Sequence, residues 1–314
     1  MSFFKKTYFL LLYLLFFSSC SFWSPSNIKE IKTLNQSTEL LQELDKDILV
    51  IFDIDRTLLV PIDKILRIRW NPEVFEKDDV EFAQKLLSDF QNKMKIKANY
   101  NPRYEEESLS IIMLNEIYEC IEPTTADFIK KLQLQGIKVI ALTGISTGKF
   151  GMIPKMGEWR YSTLKRYEID FSSNFEFTEI VFDKLQPNFD SYPVFYKGIL
   201  MTGKSNPKGL VLKTFFDSIK WQPKKVFFFD DKKKDVELVA EAMKKEGIPF
   251  QGFWYTATFD IPVKLKLDRE IIKLQYEYLE KYNKYLSDKE VEEELNKTKQ
   301  KLYKQYKDNI KQIQ

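Results

Sequence analysis

Short continuous apolar runs recur along the chain and predict the buried strands of a parallel sheet. The first run, Ile48–Phe52, contains the β-branched and aromatic residues that favour strands. Comparable runs occupy Lys138–Thr143 and Lys225–Asp230, and stretches with apolar residues at helical spacing separate them. Alternation of this kind is the βαβ pattern of a parallel sheet. We therefore predict an α/β fold with a Rossmann-like, three-layer α/β/α core, and we expect further strands near 194–202 and 249–255.

Long intervals interrupt this alternation and define the predicted domain organisation. Residues 60–121 carry apolar positions at helical spacing and predict a small helical cap, which leaves a core at 46–59 and 122–262. A second, aromatic-rich insertion lies at about 145–194 within that core. Residues 263–314 are rich in Lys, Glu and Tyr and predict a charged helical extension that packs on the core. A helix that binds a protein partner is the alternative for this extension.

The N-terminus resembles an export signal. Residues 1–20 contain two early lysines, an apolar stretch of 11 residues at 7–17, and the sequence Phe-Ser-Ser-Cys that ends at Cys20. This ending resembles the lipobox of bacterial lipoproteins, although Phe replaces the usual Leu. We expect an exported, periplasmic or cell-envelope lipoprotein of a bacterium, held to a membrane through Cys20. A plain cleaved signal and a retained anchor are the alternatives, and residues 21–45 are interpreted as a tether and an N-terminal helix.

Composition narrows the possible chemistry. Lys and Arg number 49 against 46 Asp and Glu, and this near balance gives no reason to expect a nucleic-acid partner. The chain has no histidine, which excludes Ser-His-Asp catalysis, histidine metal ligands and phosphohistidine enzymes. Cys120 is interpreted as a small buried residue. Acid–base work must therefore fall to carboxylates, lysines or tyrosines.

Polar side chains follow each of the three predicted core strands. Because ligands bind at the carboxyl ends of the strands in open α/β sheets, we expect these side chains to gather at one edge. The Asp-x-Asp-x-Thr sequence after the first strand is by itself also compatible with a solvated turn. The side chains are Asp53, Asp55 and Thr57 after the first run, Thr143 and Gly144 after the second, and Asp230, Asp231 and Asp235 after the third.

A lysine is predicted at the start of a later helix. Pro207 suits the first helical position, with Asn206 or Ser205 as the cap, and this places Lys208 in the first turn. Backbone N–H groups at such a helix start also face any bound anion. Lys204 in the preceding loop is the alternative phosphate ligand, and we favour Lys208.

These four pieces, in this order, resemble the motifs of the haloacid dehalogenase-like superfamily of phosphohydrolases. The resemblance covers about 48–255 without the insertions. It implies that Asp53 attacks phosphorus to form an aspartyl-phosphate, and that Asp55 protonates the leaving oxygen and then deprotonates water. It also implies that Thr143, Gly144 and Lys208 bind the transferring phosphoryl group.

The resemblance further implies a magnesium site. Asp53, Asp231 and the backbone carbonyl of Asp55 would ligate Mg²⁺, with Asp230 and Asp235 assisting and Thr57 steadying the loop. Independently, like charges about 4 Å apart cost roughly 4 kcal/mol at an effective dielectric of about 20, so clustered carboxylates require a cation. Oxygen ligands beside a phosphate fit Mg²⁺.

The expected function is a Mg²⁺-dependent phosphomonoester hydrolase whose cap encloses a small phosphorylated substrate. A halide leaves without a proton, and dehalogenases of the superfamily lack the second aspartate, so Asp55 favours phosphoryl chemistry. Arg56 stands where the superfamily usually has Gly. A phosphotransferase or mutase of the same fold, and a non-catalytic surface-binding protein that retains the fold, are the alternatives.

Overall fold

A computed structural model of the chain describes residues 27–41, 46–259 and 264–313, with side chains described up to residue 305. The predicted signal segment at 1–20, with Cys20, lies outside the described residues. The strands are β1 Asn27–Ile31, β2 Ile48–Phe52, β3 Leu59–Pro61, β4 Tyr118–Cys120, β5 Lys138–Thr143, β6 Glu179–Val181, β7 Val194–Tyr196, β8 Ile199–Met201, β9 Lys225–Asp230 and β10 Phe250–Tyr255. The α-helices are α1 Thr38–Leu41, α2 Lys64–Trp70, α3 Lys77–Lys97, α4 Tyr104–Asn115, α5 Thr125–Leu134, α6 Met156–Lys165, α7 Lys208–Ile219, α8 Lys233–Lys245, α9 Arg269–Tyr282 and α10 Asp288–Ile313.

An eight-stranded sheet forms the centre of the molecule, in the order β1-β10-β9-β2-β5-β8-β7-β6. The strands from β1 to β8 in this order run parallel, and β7 and β6 extend the sheet with antiparallel pairing. The chain proceeds from β2 to β5 and β8 on one side, and then to β9 and β10 on the other side. The gap between the carboxyl ends of β2 and β9 is therefore a topological switch point, where ligands bind in open α/β sheets.

Both faces of the sheet are covered, which confirms the predicted α/β, Rossmann-like fold. Val50 and Phe52 of β2 pack on one face with residues of α5, and Leu49 and Ile51 pack on the other with residues of α7 and α8. Each such side chain contributes about 1.5–3 kcal/mol when it is fully buried. Because all five residues of β2 are buried, the strand holds its carboxyl end in a fixed position.

Two segments differ from the sequence prediction. Asn27–Ile31 lie within the stretch interpreted as a tether, but they form the edge strand β1 and pair with β10. Four of the five residues of this edge strand are not fully buried. Its sequence therefore does not need the apolar run of a central strand, and that run was the signal used to predict strands. The single strand expected near 194–202 is instead the hairpin β7–β8. Lys197 and Gly198 make its turn with φ of 45° and 82°, and a Cβ on Gly198 would lie 2.1 Å from the carbonyl oxygen of Phe171.

The insertion after β2 forms a helical cap with a two-stranded base. β3 and β4 pair antiparallel where the chain leaves and re-enters the core, and α2, α3 and α4 lie between them. The C-terminal extension was expected to pack on the core, but α9 packs on this cap. The rings of Phe90 in α3 and Tyr276 in α9 lie 5.0 Å apart, and Ile272 and Leu279 are buried in the same cluster. Among the helices in the described ranges, none is both long and apolar enough to cross a membrane.

A buried group of acidic residues joins the cap to the C-terminal extension. The hydroxyl of Tyr285 donates to Asp63 Oδ2 at 2.5 Å, and the Asp288 N–H donates to Asp63 Oδ1 at 3.1 Å. The Asp63 N–H in turn donates to Glu116 Oε1 at 3.1 Å. Burial raises the pKa of Glu116 to about 8, and repulsion from Asp63 and Asp288 adds to this effect.

This arrangement makes folding stability depend on pH. The folded protein holds the Glu116 proton more tightly than the unfolded chain, whose ordinary pKa is 4.5. The resulting stabilisation is complete below the ordinary pKa and is lost as the pH rises through about 8. The free energy of unfolding should therefore fall as the pH rises through this range, and we expect a smaller fall in Glu116→Gln. One titrating group can contribute at most about 1.4 kcal/mol per pH unit to this slope.

Chemical denaturation at a series of pH values measures this dependence. Glu119→Gln, at an exposed carboxylate on the neighbouring strand, is the matched control and should leave the slope unchanged. An identical pH dependence in Glu116→Gln and the unchanged protein would contradict the assignment.

Candidate active site

The carboxyl ends of β2 and β9 bring three aspartates together. Asp53 follows β2, Asp230 ends β9, and Asp231 comes next. The Asp53 N–H donates to the carbonyl oxygen of Phe229 at 2.8 Å, which fixes the relative position of the two strand ends. One carboxylate oxygen from each aspartate lies within 4.8 Å of the others, and all three side chains are buried. The structure therefore places these predicted metal ligands in one cluster at the switch point.

Lys208 enters this cluster from the start of α7. Its Nζ lies 2.6 Å from Asp53 Oδ1, 2.5 Å from Asp230 Oδ2 and 3.7 Å from Asp235 Oδ2. The adjacent Gly209 allows α7 to approach α8 closely, since a Cβ there would lie 2.6 Å from the Cβ of Ala242. Close helix packing thus holds the lysine at the end of the sheet.

The start of α7 differs slightly from the prediction. Pro207 is the N-cap residue and Lys208 the first helical residue, whereas Pro207 was expected at the first helical position. The Asn206 side chain was a predicted cap, but it donates to the carbonyl oxygens of Gln186 and Thr202. A proline without a side-chain oxygen cannot cap the helix in the usual way, so its first N–H groups have no side-chain partner at the cap.

Burial and mutual repulsion dominate the electrostatics of the cluster. Burial raises the pKa of Asp53 to about 7 against the attraction of Lys208, and repulsion from Asp230 adds to the rise. Burial likewise raises the pKa of Asp231 to about 8, with Asp53 adding to it. Burial is the largest single influence on Lys208 and by itself would lower its pKa, but the combined attraction of the surrounding aspartates outweighs it and raises the pKa. An all-oxygen donor set of this charge fits a divalent cation such as Mg²⁺.

Arg56 occupies a backbone position that favours glycine. Its φ is +67°, in the left-handed region, so a side chain there carries a conformational cost of about 1 kcal/mol or more. Its guanidinium lies 2.6 Å from Asp231 Oδ2 and donates to the carbonyl oxygen of Trp70 at 2.7 Å. Next to it, the Thr57 hydroxyl accepts a hydrogen bond from the Asp231 N–H at 3.1 Å. The loop after β2 is thereby joined both to the cluster and to the cap.

Asp55 has a partner that sequence reasoning missed. Nη2 of Arg160, on α6 of the second insertion, donates to Asp55 Oδ2 at 3.0 Å. The two residues are 105 positions apart in the chain. Arg160 is fully buried and stacks on the ring of its neighbour Trp159 at 4.8 Å. No local sequence signal distinguishes it from Lys165, the other basic residue of that helix.

A cavity of about 470 Å³ opens on the aspartate cluster. Both insertions form its walls, with Arg69 and Trp70 from the cap and Phe150 and Arg160 from the second insertion. A Cβ on Gly144 would meet no atom within 4 Å, so this position leaves open space beside the cluster. Six predicted site residues line the cavity, namely Asp53, Asp55, Thr143, Gly144, Lys208 and Asp235. The remaining three do not line the cavity: Asp230 and Asp231 belong to the cluster itself, and Thr57 contacts Asp231.

Fold and site together define an α/β protein with a buried carboxylate and lysine cluster at the switch point of its sheet. Residues 27–292 match the family described as "Protein of unknown function (DUF2608)", and the chain belongs to this family.

Similar proteins come from several bacteria. An uncharacterized protein of Rickettsia prowazekii is 26% identical over 258 residues, which cover 82% of this chain and 86% of that protein. A Chlamydia trachomatis protein described as "Putative outer membrane protein" is 34% identical over 104 residues, or 32% of this chain and 38% of that protein. A solved structure described as a "putative haloacid dehalogenase-like hydrolase" from Burkholderia xenovorans is 13% identical, with a TM-score of 0.33 over 74% of this chain and 98% of that chain.

Proposed function

We propose that the protein is an exported, Mg²⁺-dependent phosphomonoester hydrolase of the haloacid dehalogenase-like type. The observation that carries this proposal is the buried cluster of Asp53, Asp230 and Asp231 with Lys208 at the switch point. Burying charged groups costs stability, and a catalytic or binding role would explain why this protein does so. Perturbed carboxylates in a cleft are also typical of functional sites.

In the proposed reaction, a carboxylate oxygen of Asp53 attacks phosphorus and the bond from phosphorus to the alcohol oxygen breaks. The phosphoryl group is then carried as an aspartyl-phosphate, which water hydrolyses to phosphate. The Lys208 ammonium and the Thr143 hydroxyl line the cavity beside Asp53, where they offset charge on the phosphoryl oxygens. Asp53, Asp231 and the Asp55 carbonyl would hold Mg²⁺, which supplies further charge neutralisation when bound.

Asp55 is the proposed acid–base group. It lines the cavity two residues beyond Asp53, and it would give a proton to the leaving alkoxide and later accept one from the attacking water. Its contact with Arg160 holds the carboxyl at the cavity wall. In a chain without histidine, a carboxyl group at this position is well suited to both steps.

Metal dependence tests the proposed function. We expect hydrolysis of phenyl phosphate to fall to background after chelation and to return when Mg²⁺ is added, because the clustered carboxylates need a cation. Mg²⁺ should also raise the melting temperature, since a ligand that binds only the folded state stabilises it. Full activity in excess chelator would refute the metal assignment.

Export to the cell envelope is part of the proposal. The basic and apolar segment at 1–20 supports it, and so does the outer membrane description of the chlamydial relative. Mass spectrometry of the membrane fraction should find the mature chain beginning at an acylated Cys20. A mature chain that begins elsewhere, or an intact chain in the cytoplasm, would contradict the lipoprotein prediction and leave the hydrolase proposal unaffected.

A further inference from the structure

The cavity carries more positive charge than the reaction cluster uses. Six basic and three acidic side chains line it. Lys208 is bonded to Asp53 and Asp230, and Arg56 is paired with Asp231. The excess positive charge therefore lies on the other basic residues of the lining. Three of these come from the insertions and from the loop before α7, namely Arg69, Arg160 and Lys204.

Arg160 has unused hydrogen-bond donors although it is only 1% exposed. Nη2 donates to Asp55, but Nε and Nη1 are buried and have no partner among the described residues. Leaving buried donors unsatisfied destabilises a protein, and the cost is larger when the group is charged. An acceptor brought in by a ligand would remove this cost.

Lys204 and Arg69 provide a second observation. Arg69 donates to Glu105 at 3.2 Å, while Lys204 forms no ion pair within the described part of the chain. Burial lowers the pKa of Lys204, and repulsion from Arg69 acts in the same direction against the attraction of Glu106 and Glu105. Glu106 is already bonded to Arg103 at 2.7 Å. The two carboxylates that attract Lys204 are thus already paired with arginines.

We propose that the substrate carries a second anionic group, a carboxylate or phosphate, which Arg69, Arg160 and Lys204 bind while the phosphoryl group to be removed sits at Asp53. Trp70, Leu109, Met113 and Phe150 line the same cavity and suit an apolar or aromatic segment between the two anionic groups. This inference rests on the proposed function and names its substrate class as anionic phosphate esters. A phosphate ester with a neutral tail would leave Nε and Nη1 of Arg160 without an acceptor, and Lys204 without an ion pair, among the described residues.

Two matched esters test this inference. One is phenyl phosphate with a meta carboxymethyl group, and the other has the uncharged carbamoylmethyl group at the same place. Because a charged hydrogen bond contributes about 1.5–3 kcal/mol, we expect kcat/KM to be roughly 10- to 100-fold higher for the carboxylate ester. The Asp53→Asn protein, which does not turn over the esters, should also bind the carboxylate ester more tightly in calorimetry.

Variants locate the preference. Lys204→Gln and Arg69→Gln should each reduce it by about 5-fold or more, with kcat/KM for the carbamoyl ester within about 2-fold of the unchanged protein. Lys204 lies in a loop and forms no ion pair within the described part of the chain, so its replacement does not threaten folding. Lys149→Gln, at an exposed lysine that does not line the cavity, is the matched control and should keep the full preference.

The outcomes separate the two proposals. Equal kcat/KM and equal binding for the two esters would overturn the second anion site and leave the hydrolase proposal intact. A preference that survives in both variants would also overturn it, because the anion would then bind elsewhere. If neither ester nor phenyl phosphate is hydrolysed, the proposed function fails, and the calorimetric comparison still decides whether the anion site exists.

Discussion

Replacement of Asp53 by Asn should reduce kcat for phenyl phosphate by at least about 10,000-fold, the scale observed when a nucleophile or its activating partner is removed from an enzyme. The amide cannot form the aspartyl-phosphate, although its oxygen can still accept a hydrogen bond from Lys208, which lies 2.6 Å from Asp53 Oδ1. The change also removes one of several mutually repelling buried carboxylates, so we expect the melting temperature to be maintained. Phosphate release assays with Mg²⁺ present measure the effect.

Asp217→Asn is the matched control for this prediction. Asp217 is an exposed aspartate on α7 that pairs with Lys213 at 2.7 Å, outside the cavity. Its replacement should leave kcat unchanged, and acid-quenched protein should retain phosphate label with Asp217→Asn and lose it with Asp53→Asn. Substantial turnover by Asp53→Asn would mean that another group is the nucleophile.

Replacement of Lys208 by Ala should lower kcat/KM for phenyl phosphate by at least about 100-fold, the effect of losing one donor to a developing oxyanion. The contact of an ammonium with a phosphoryl group strengthens as charge develops in the transition state, so most of the loss should appear in kcat. Removing the ammonium also leaves Asp53 and Asp230 without their counter-charge. Steady-state kinetics with a small primary amine added should show partial rescue, which would demonstrate that the variant is folded.

Lys204→Ala is the companion variant. On phenyl phosphate, which has no second anionic group, it should lose less than about 5-fold, as expected of a charge that makes no direct contact with the reacting group. The two lysines lie on opposite sides of Pro207, and only Lys208 is within hydrogen-bond distance of the aspartate cluster. A large loss in Lys204→Ala with a small loss in Lys208→Ala would make Lys204 the phosphate ligand.

Arg56 shows how the cap and the cluster depend on each other. One guanidinium nitrogen lies beside Asp231, and the other donates to the carbonyl oxygen of Trp70 at the end of α2. A glycine at this position would meet the backbone requirement without any such contact. The arginine therefore adds a direct connection from the cap to a predicted metal ligand.

Local sequence patterns were sufficient to predict the central strands and the helix that carries Lys208. Three apolar runs have a local composition that favours buried strands, and each of them forms a strand. They are Ile48–Phe52, Lys138–Thr143 and Lys225–Asp230. Their order along the chain also indicated that polar groups such as Asp53 and Asp230 would meet at one edge of a parallel sheet. These features follow from local patterns together with a general rule about strand ends.

Features that depend on residues far apart in the chain could be seen only in the folded structure. The pairing of Arg160 with Asp55 spans 105 positions, and nothing local to α6 specifies it. The packing of α9 on the cap, and the pairing of Asn27–Ile31 with β10, likewise arise from surfaces that meet only after folding. Hydrophobic periodicity indicates that a face will be buried, but it does not identify the surface that covers this face. The reason is that the hydrophobic effect is non-directional and depends on the apolar area removed from water.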